Sequence, residues 1–331
     1  MPELPEVETV RLDLNQAIVG RTIESVILGR LRSVRRYVDP NQFVDELVGA
    51  RITGTGRLGK YLFIMLSGAT GATGPTGPAG PAGPTGPMGP GALSAVPGFA
   101  GPVESKHTDG VEGSGGENSC GALAESVLVI HLRMSGQLLL PVGGASAEIA
   151  KHTHVRIGLD DGNELRFVDP RTFGEMYVTS SDVPELAHLG PDAWTALSSG
   201  AELRKRTKGR SIALKAALLD QTVTAGIGSI YADEISHRAA IRPTRSVARL
   251  TGKDFDRLYL ATKEVLGEAI VARGSTLGDG QYVGLDGKAG TFATAHRVHA
   301  KLKHGCGTCG GEISTGIVAQ RSAYWCRNCQ K

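Results

Sequence analysis

Four cysteines constrain this chain more than any other feature. Cys306, Cys309, Cys326 and Cys329 form two C-x2-C pairs with sixteen residues between them. Two tight pairs at that separation suit four thiolates on one tetrahedral Zn2+. The intervening EISTGIVAQRSAYW alternates β-prone residues around a glycine, which predicts a β-hairpin. The pattern therefore predicts a zinc-ribbon finger over 297–331, its metal closed by four sulfurs and structural rather than catalytic. Two disulfides, or two redox C-x2-C pairs, would use the same residues. The acidic start MPELPEVE has neither a basic leader nor an apolar stretch. That start predicts a cytoplasmic protein, where structural disulfides are disfavoured, and neither pair has a thioredoxin-like context. The remaining cysteine, Cys120, stands alone.

Cys120 lies in an unusual segment. Residues 68–126 hold 16 of the 46 glycines and 8 of the 16 prolines, with glycine at every third position for eight triplets from Gly68. The composition is collagen-like. A loop at a hairpin tip accommodates such an insertion at little cost, whereas a triple helix would require three chains. The segment is acidic, with five acids and one base, so the rest of the chain carries +7 rather than the overall +3. A basic body points mildly to a polyanionic partner. No run of 18 apolar residues is present, so no transmembrane helix and no membrane partner are expected.

Hydrophobic spacing at Val7, Val10, Leu14, Ala17 and Ile18 predicts a helix over 5–18, with Pro5 in its first turn and Gly20 as its stop. Short β-prone runs follow at 21–28, 50–55, 61–66, 126–132, 137–141, 154–159 and 164–168. They predict a β-sandwich with the helix packed on it. After residue 185 the pattern turns helical: one or two helices over 201–220 with a basic run from Arg204 to Lys215, a tight Gly226–Gly228 turn, then helices over 230–238 and 255–272. Pro191 and Ser198-Ser199-Gly200 suggest the joint between the two parts. The fold class is α+β. We expect an N-terminal β-sandwich domain over 1–192, a helical domain over 201–296 and the finger over 297–331.

Several motifs together resemble one family. They are MPELPEVETVR at the start, GKYL at 59–62, HLRMSGQL at 131–138, KHTHV at 151–155, DPRTFG at 169–174, GIGSIYADE at 226–234, DGKAGTF at 286–292 and the cysteine set ending in Gln330-Lys331. In this order they resemble the formamidopyrimidine-DNA glycosylases, bacterial enzymes that excise oxidised purines such as 8-oxoguanine and formamidopyrimidines. The resemblance spans nearly everything outside 68–126. It implies a helix–two-turns–helix in the second domain and a lesion-capping loop over 274–292. It also implies double-stranded damaged DNA as partner, base excision repair as function, no small-molecule cofactor, and a cytoplasmic, nucleoid-associated monomer.

The resemblance also assigns residues. Removal of Met1 leaves Pro2 as a free secondary amine, the nucleophile that attacks C1′ and leaves an iminium. Free α-amino groups titrate near ~8, so a usable fraction is neutral at pH 7. Glu3 is the general acid, and Glu6 either assists or favours the helix start. Lys60 accompanies β-elimination and Arg321 the δ-elimination, where a permanently charged guanidinium suits phosphate stabilisation better than proton donation. Met134, Arg171 and Phe173 fill the gap left by a flipped nucleotide. His152, Arg171, Arg210, Lys215 and Ser229 contact DNA, chiefly its phosphates. Read without the resemblance, Pro2 and Pro5 only shape a helix start, Met134 and Phe173 are core residues, and Lys60 and Arg321 are solvated.

Three positions depart from the family pattern. Ser229 replaces the usual Asn, Arg133 the usual Gly before Met134, and His299-Ala300 the usual Tyr-Gly. Two other readings remain: an endonuclease VIII-type glycosylase for oxidised pyrimidines, and a non-catalytic damage-sensing DNA-binding protein on the same scaffold.

Overall fold

The computed structural model describes residues 2–68, 126–278 and 280–331. The collagen-like segment, apart from its ends Gly68 and Ser126, lies outside them, as do Cys120 and Asp279.

Helix α1 (Leu4–Ile18) starts one residue earlier than its spacing predicts. Pro5 occupies its first turn, and the Glu6 carboxylate accepts the backbone N–H of Glu3 at 2.8 Å. Two four-stranded antiparallel sheets follow. One is ordered β1 (Ile23–Leu28), β6 (Thr153–Leu159), β7 (Glu164–Val168), β5 (Gln137–Leu139). The other is ordered β2 (Arg51–Leu58), β3 (Tyr61–Ser67), β4 (Ser126–His131), β8 (Glu175–Ser180). Both contribute to one hydrophobic cluster, as a sandwich requires. The unbroken apolar runs LFIML and VLVI make β3 and β4 central strands, β4 buried throughout and β3 with only Tyr61, Met65 and Ser67 half-buried. Helix α1 lies on β2 and β3, where Thr55 donates to the Arg11 carbonyl at 3.2 Å.

Strand β8 and the short helix α2 (Pro40–Asp45) were not expected from the sequence. The β8 segment EMYVTS buries Glu175 and Thr179 beside its apolar residues, so it shows no clean alternation.

The helical part has its own cluster. It comprises α3 (Gly200–Thr207), α4 (Leu214–Leu219), α5 (Ser229–Arg238) and α6 (Gly252–Val271). The Ser198–Gly200 stretch starts α3, with Ser199 as its N-cap. Helices α4 and α5 with the turns between them form the helix–two-turns–helix. The strands β9 (Ile313–Val318) and β10 (Arg321–Cys326) form the expected hairpin. No helix among the described residues is long and apolar enough to cross a membrane.

Candidate active site

The start of α1 crosses from one cluster to the other. Val7, Val10 and Leu14 belong to the sandwich core, while Leu4 is buried in the helical core. Leu4 donates its N–H to the Gly226 carbonyl at 3.1 Å. Gly226 has φ +110°, and a Cβ there would sit 2.4 Å from the Leu4 side chain. A Cβ on Gly228 would sit 2.3 Å from the Glu3 carboxylate. The GIG motif is therefore what allows the N-terminal segment to dock.

Glu3 docks on the start of α5. Its carboxylate accepts the N–H groups of Gly228 at 2.8 Å, Ile230 at 3.0 Å and Tyr231 at 3.4 Å, the anion site of a helix N-terminus. Glu6 is also fully engaged: it accepts from Tyr231 Oη at 2.6 Å and from the Ser275 N–H at 2.7 Å, besides Glu3. Burial first, and then the charge of Glu3, raises its carboxyl above the usual range. Glu6 thus joins α1, α5 and the root of the 274–292 loop, which is more than a favourable charge at a helix start. Pro2 is buried in the same junction.

Lys60 occupies the β2–β3 turn. Among the described residues it has no hydrogen bond or close ion pair. Burial pushes its ammonium below the ordinary lysine value; Arg321 acts in the same direction, while Glu3 and Glu6 oppose it. The turn is anchored from below. Arg57 is paired with Asp192 and with Glu8, the latter at 2.7 Å, and donates to the Gly59 carbonyl at 3.0 Å. Asp192 also accepts the Gly59 N–H at 2.8 Å. Burial would raise the Asp192 carboxyl, but Arg57 and the N–H groups of Thr195 and Gly59 hold it below the usual range.

Arg321 opens β10 after a two-residue turn in which Ala319 and Gln320 both have positive φ, 48° and 59°. It is exposed and, among the described residues, unpaired, and its charge acts on Lys60.

A second group surrounds the end of β4. Arg171 and Phe173 are exposed, with the Arg171 guanidinium 5.2 Å from the Phe173 ring centre. Phe173 is therefore not a core residue, and Met134 is half-buried. Asp169, fully buried, accepts from Ser135 Oγ at 2.6 Å and from the N–H groups of Arg171 at 3.2 Å and Gly174 at 2.7 Å. It thereby holds the Met134 loop and the Arg171–Phe173 loop together. His152 is exposed beside them. Arg35 donates to the Phe173 carbonyl at 3.2 Å, and Arg35, Arg36 and Arg133 gather on Glu175, making this face basic. Arg133 has φ +54°, which explains a usual glycine at this position. Burial pushes His131 down to about 3, and the neutral ring accepts the Arg133 N–H at 3.1 Å.

The remaining expected DNA contacts divide. Arg210 is half-exposed and tied to Asp220 at 2.5 Å. Ser229 is half-buried at the first turn of α5. Lys215 does not reach the surface. It is fully buried and donates to Asp233 at 2.8 Å and to the carbonyls of Ser229 at 3.2 Å and Ser322 at 2.5 Å. All three ammonium donors are used internally, so Lys215 braces the Arg321 hairpin against α5 rather than contacting phosphate. Sequence reading missed Asp169 and Asp192 as organisers, because lone acids beside proline read as turn residues, and Arg57, because nothing local marks a strand arginine as buried.

The four finger sulfurs lie within 4.8 Å of one another, with Cys309 and Cys326 3.5 Å apart and Cys306 and Cys329 3.8 Å apart. Tetrahedral Zn–S bonds of ~2.3 Å imply sulfurs about 3.8 Å apart, so these residues fit a zinc ion.

The fold and site define a β-sandwich and helix–two-turns–helix protein with a cysteine finger, whose buried N-terminal segment meets a lysine and an arginine at the junction. The formamidopyrimidine-DNA glycosylase N-terminal domain matches residues 1–81 and 94–176, and the H2TH domain of the same family matches 189–280. The formamidopyrimidine-DNA glycosylase of Geobacillus kaustophilus is 33% identical, with 100% of each chain covered. The Lactococcus lactis Fpg in complex with abasic-site DNA superposes with a TM-score of 0.75 at 26% identity, covering 99% of each chain. A variant of that protein with Fapy-dG containing DNA gives 0.76 at 27%, covering 100% of each. The chain belongs to the formamidopyrimidine-DNA glycosylase family.

Proposed function

We propose that this protein excises oxidised purines, 8-oxoguanine and formamidopyrimidines, from double-stranded DNA through a Pro2 Schiff base, then cuts the strand by β,δ-elimination. As a family member it is a DNA glycosylase of base excision repair, and abasic-site lyase activity is general to the family. What supports the assignment of residues is that Glu3, next to Pro2 in the chain, and Arg321 both act electrostatically on Lys60.

With Met1 removed, the Pro2 nitrogen bonds to C1′ and the glycosidic electron pair leaves with the base, which takes up a proton. Opening of the C1′–O4′ bond and loss of the amine proton give the iminium. Glu3 is the acid at the ring oxygen, held in place by its three N–H partners at the start of α5. Lys60, depressed by burial, exchanges a proton at neutral pH more readily than an exposed lysine. Arg321 meets the leaving phosphate with its fixed charge. Met134, Arg171 and Phe173 enter the stack, and His152, Arg210 and Ser229 hold the backbone. One Zn2+ on Cys306, Cys309, Cys326 and Cys329 is structural. The protein acts as a cytoplasmic monomer on the nucleoid, organised as a sandwich domain over 1–192, a helical domain over 201–296 and the finger.

Borohydride trapping on a duplex with 8-oxoguanine opposite cytosine tests this. The mature protein is expected to become covalently bound to DNA, and protein blocked at its N-terminus is not. Lesion-specific binding without trapping would refute the catalytic reading and favour a damage sensor.

A further inference from the structure

Helix α5 carries a group at each end. Its first turn holds Glu3; its last turn holds His237, almost fully buried. His237 Nε2 lies 3.3 Å from Cys306 Sγ, the contact of a ring nitrogen with one of the four finger sulfurs. Three other donors reach these sulfurs: the Thr308 N–H on Cys306 at 3.4 Å, and the Gly311 N–H at 3.4 Å and the Asn328 Nδ2 at 3.9 Å on Cys309. All three come from within the finger. His237 comes from another element of the fold.

Four thiolates on Zn2+ carry a net charge of about −2, and Cys306 is only 4% exposed. Water therefore disperses little of that charge at Cys306, and N–H donors must. A thiolate only accepts, so the matching imidazole tautomer carries its proton on Nε2. Five further contacts give α5 the same orientation toward the finger. Glu234 accepts the N–H groups of Arg297, Val298 and His299 at 2.8, 3.0 and 2.8 Å, and Asp233 pairs with His299 Nδ1 at 2.8 Å. Asp233 also accepts the Tyr324 N–H at 3.3 Å. The sulfur contact is the only one that would change directly with the metal.

We infer that His237 is a positioning residue of the zinc site: it donates Nε2–H to the Cys306 thiolate, slows loss of the metal, and ties the state of the finger to the helix that holds Glu3. The inference rests on the zinc reading above, but its test does not depend on glycosylase activity. A cleft of about 570 Å³ lined by His237, Arg297, Thr308 and Cys329 gives a chelator access to this side of the finger.

The experiment uses the full chain loaded with Zn2+ or Co2+, as wild type, His237→Phe and His237→Gln. Loss of an outer hydrogen bond to a metal ligand typically weakens metal binding about 10–100-fold. Zinc release to a chromogenic chelator should accelerate by about that factor in His237→Phe, and His237→Gln, which keeps an N–H donor, should restore most of it. In the Co2+ protein the thiolate-to-metal charge-transfer band should move to lower energy in His237→Phe, because the sulfur lone pairs lose their donor. A change in packing alone does not shift that band. Equal release rates with an unshifted band would overturn the inference, as would a Gln variant that behaves like Phe. If His237→Phe does not fold, wild type and His237→Gln are compared by the same two readouts, and a Gln variant more than ~100-fold faster, outside the expected range, counts against it. A wild-type chain that takes up no zinc removes the metal reading and this inference together, whatever trapping shows.

Discussion

Replacing Asp192 by alanine should separate the anchoring of Lys60 from the rest of the fold. The Arg57 and Asp192 side chains are 2% and 0% exposed. Asp192 accepts from Arg57, from the N–H groups of Gly59, Trp194 and Thr195, and from the Thr195 hydroxyl. Asp192→Ala leaves the guanidinium with Glu8 as its one carboxylate partner beside the Gly59 carbonyl, and strips three N–H groups of their acceptor. Removing one member of a buried pair costs about 3–5 kcal/mol, and each orphaned donor adds about 1–3 kcal/mol where water cannot reach it. We expect a loss near the top of the first range, about 5 kcal/mol, and a fall in melting temperature of about 10 °C or more. With the Gly59 amide released, misplacement of Lys60 should lower abasic-site cleavage about a hundredfold. Replacing both members by apolar residues, Arg57→Met with Asp192→Leu, should recover the part of the stability lost to the unpaired guanidinium, but neither the part due to the orphaned N–H groups nor the cleavage. The lowered Asp192 pKa sets the pH window: its contribution is present above the unfolded value near ~3.9 and is lost as pH falls through the lower folded value. Wild type and Asp192→Ala should therefore converge in acid. The reasoning is refuted if Asp192→Ala melts within about 2 °C of wild type at pH 7, less than 1 kcal/mol, or if the double variant is no more stable than the single.

Three further outcomes are expected. The alkaline limb of abasic-site cleavage should fall at a pH below the ordinary lysine value of ~10.4, since burial and Arg321 disfavour the Lys60 cation; a limb at or above that value would contradict the assignment of Lys60. Arg133→Gly should relieve left-handed strain of about 1–2 kcal/mol and raise the denaturation midpoint, while reducing the slope of DNA affinity against salt by about one if Arg133 contacts phosphate. Replacing 69–125 by a short turn should leave activity within a few-fold: Leu66 pairs with Ser126 at one end of β3–β4 and Tyr61 with His131 at the other, about 17 Å apart, with Lys60 at the far end. Complete loss of trapping would show that the insertion serves the site.

The finger, α1, seven of the eight sandwich strands and the helices after residue 200 were legible because each rests on a local rule: cysteine spacing, a 3.6-residue period, or β-prone runs between turns. The proposed site was legible only as far as the residues the sequence resemblance assigns to react. Lys215 lies in a basic run and reads as a phosphate contact, yet tertiary packing turns it inward onto Asp233. Asp169 and Asp192 read as turn formers, because nothing local reveals that a distant loop or guanidinium will converge on them. Strand β8 was hidden by Glu175, whose burial depends on arginines far away in sequence. Arg133 was visible as a departure, but its cost became visible only with its φ.

Helix α5 gives the order of synthesis a meaning. Leu4 and Glu3 meet its beginning, and Gln330 and Lys331 meet the residues just after its end, where the Gln330 side chain donates to the Ile241 carbonyl and Lys331 exchanges hydrogen bonds with Ala240 and Arg242. A nascent polypeptide halted near residue 300 would own Pro2, the proposed nucleophile, but neither Arg321 nor the finger that braces the helix. Such a fragment is poorly placed to open abasic lesions that it cannot finish processing. Competence therefore arrives late, when the segment made after this ten-residue rod clasps it, the segment made before having already gripped it.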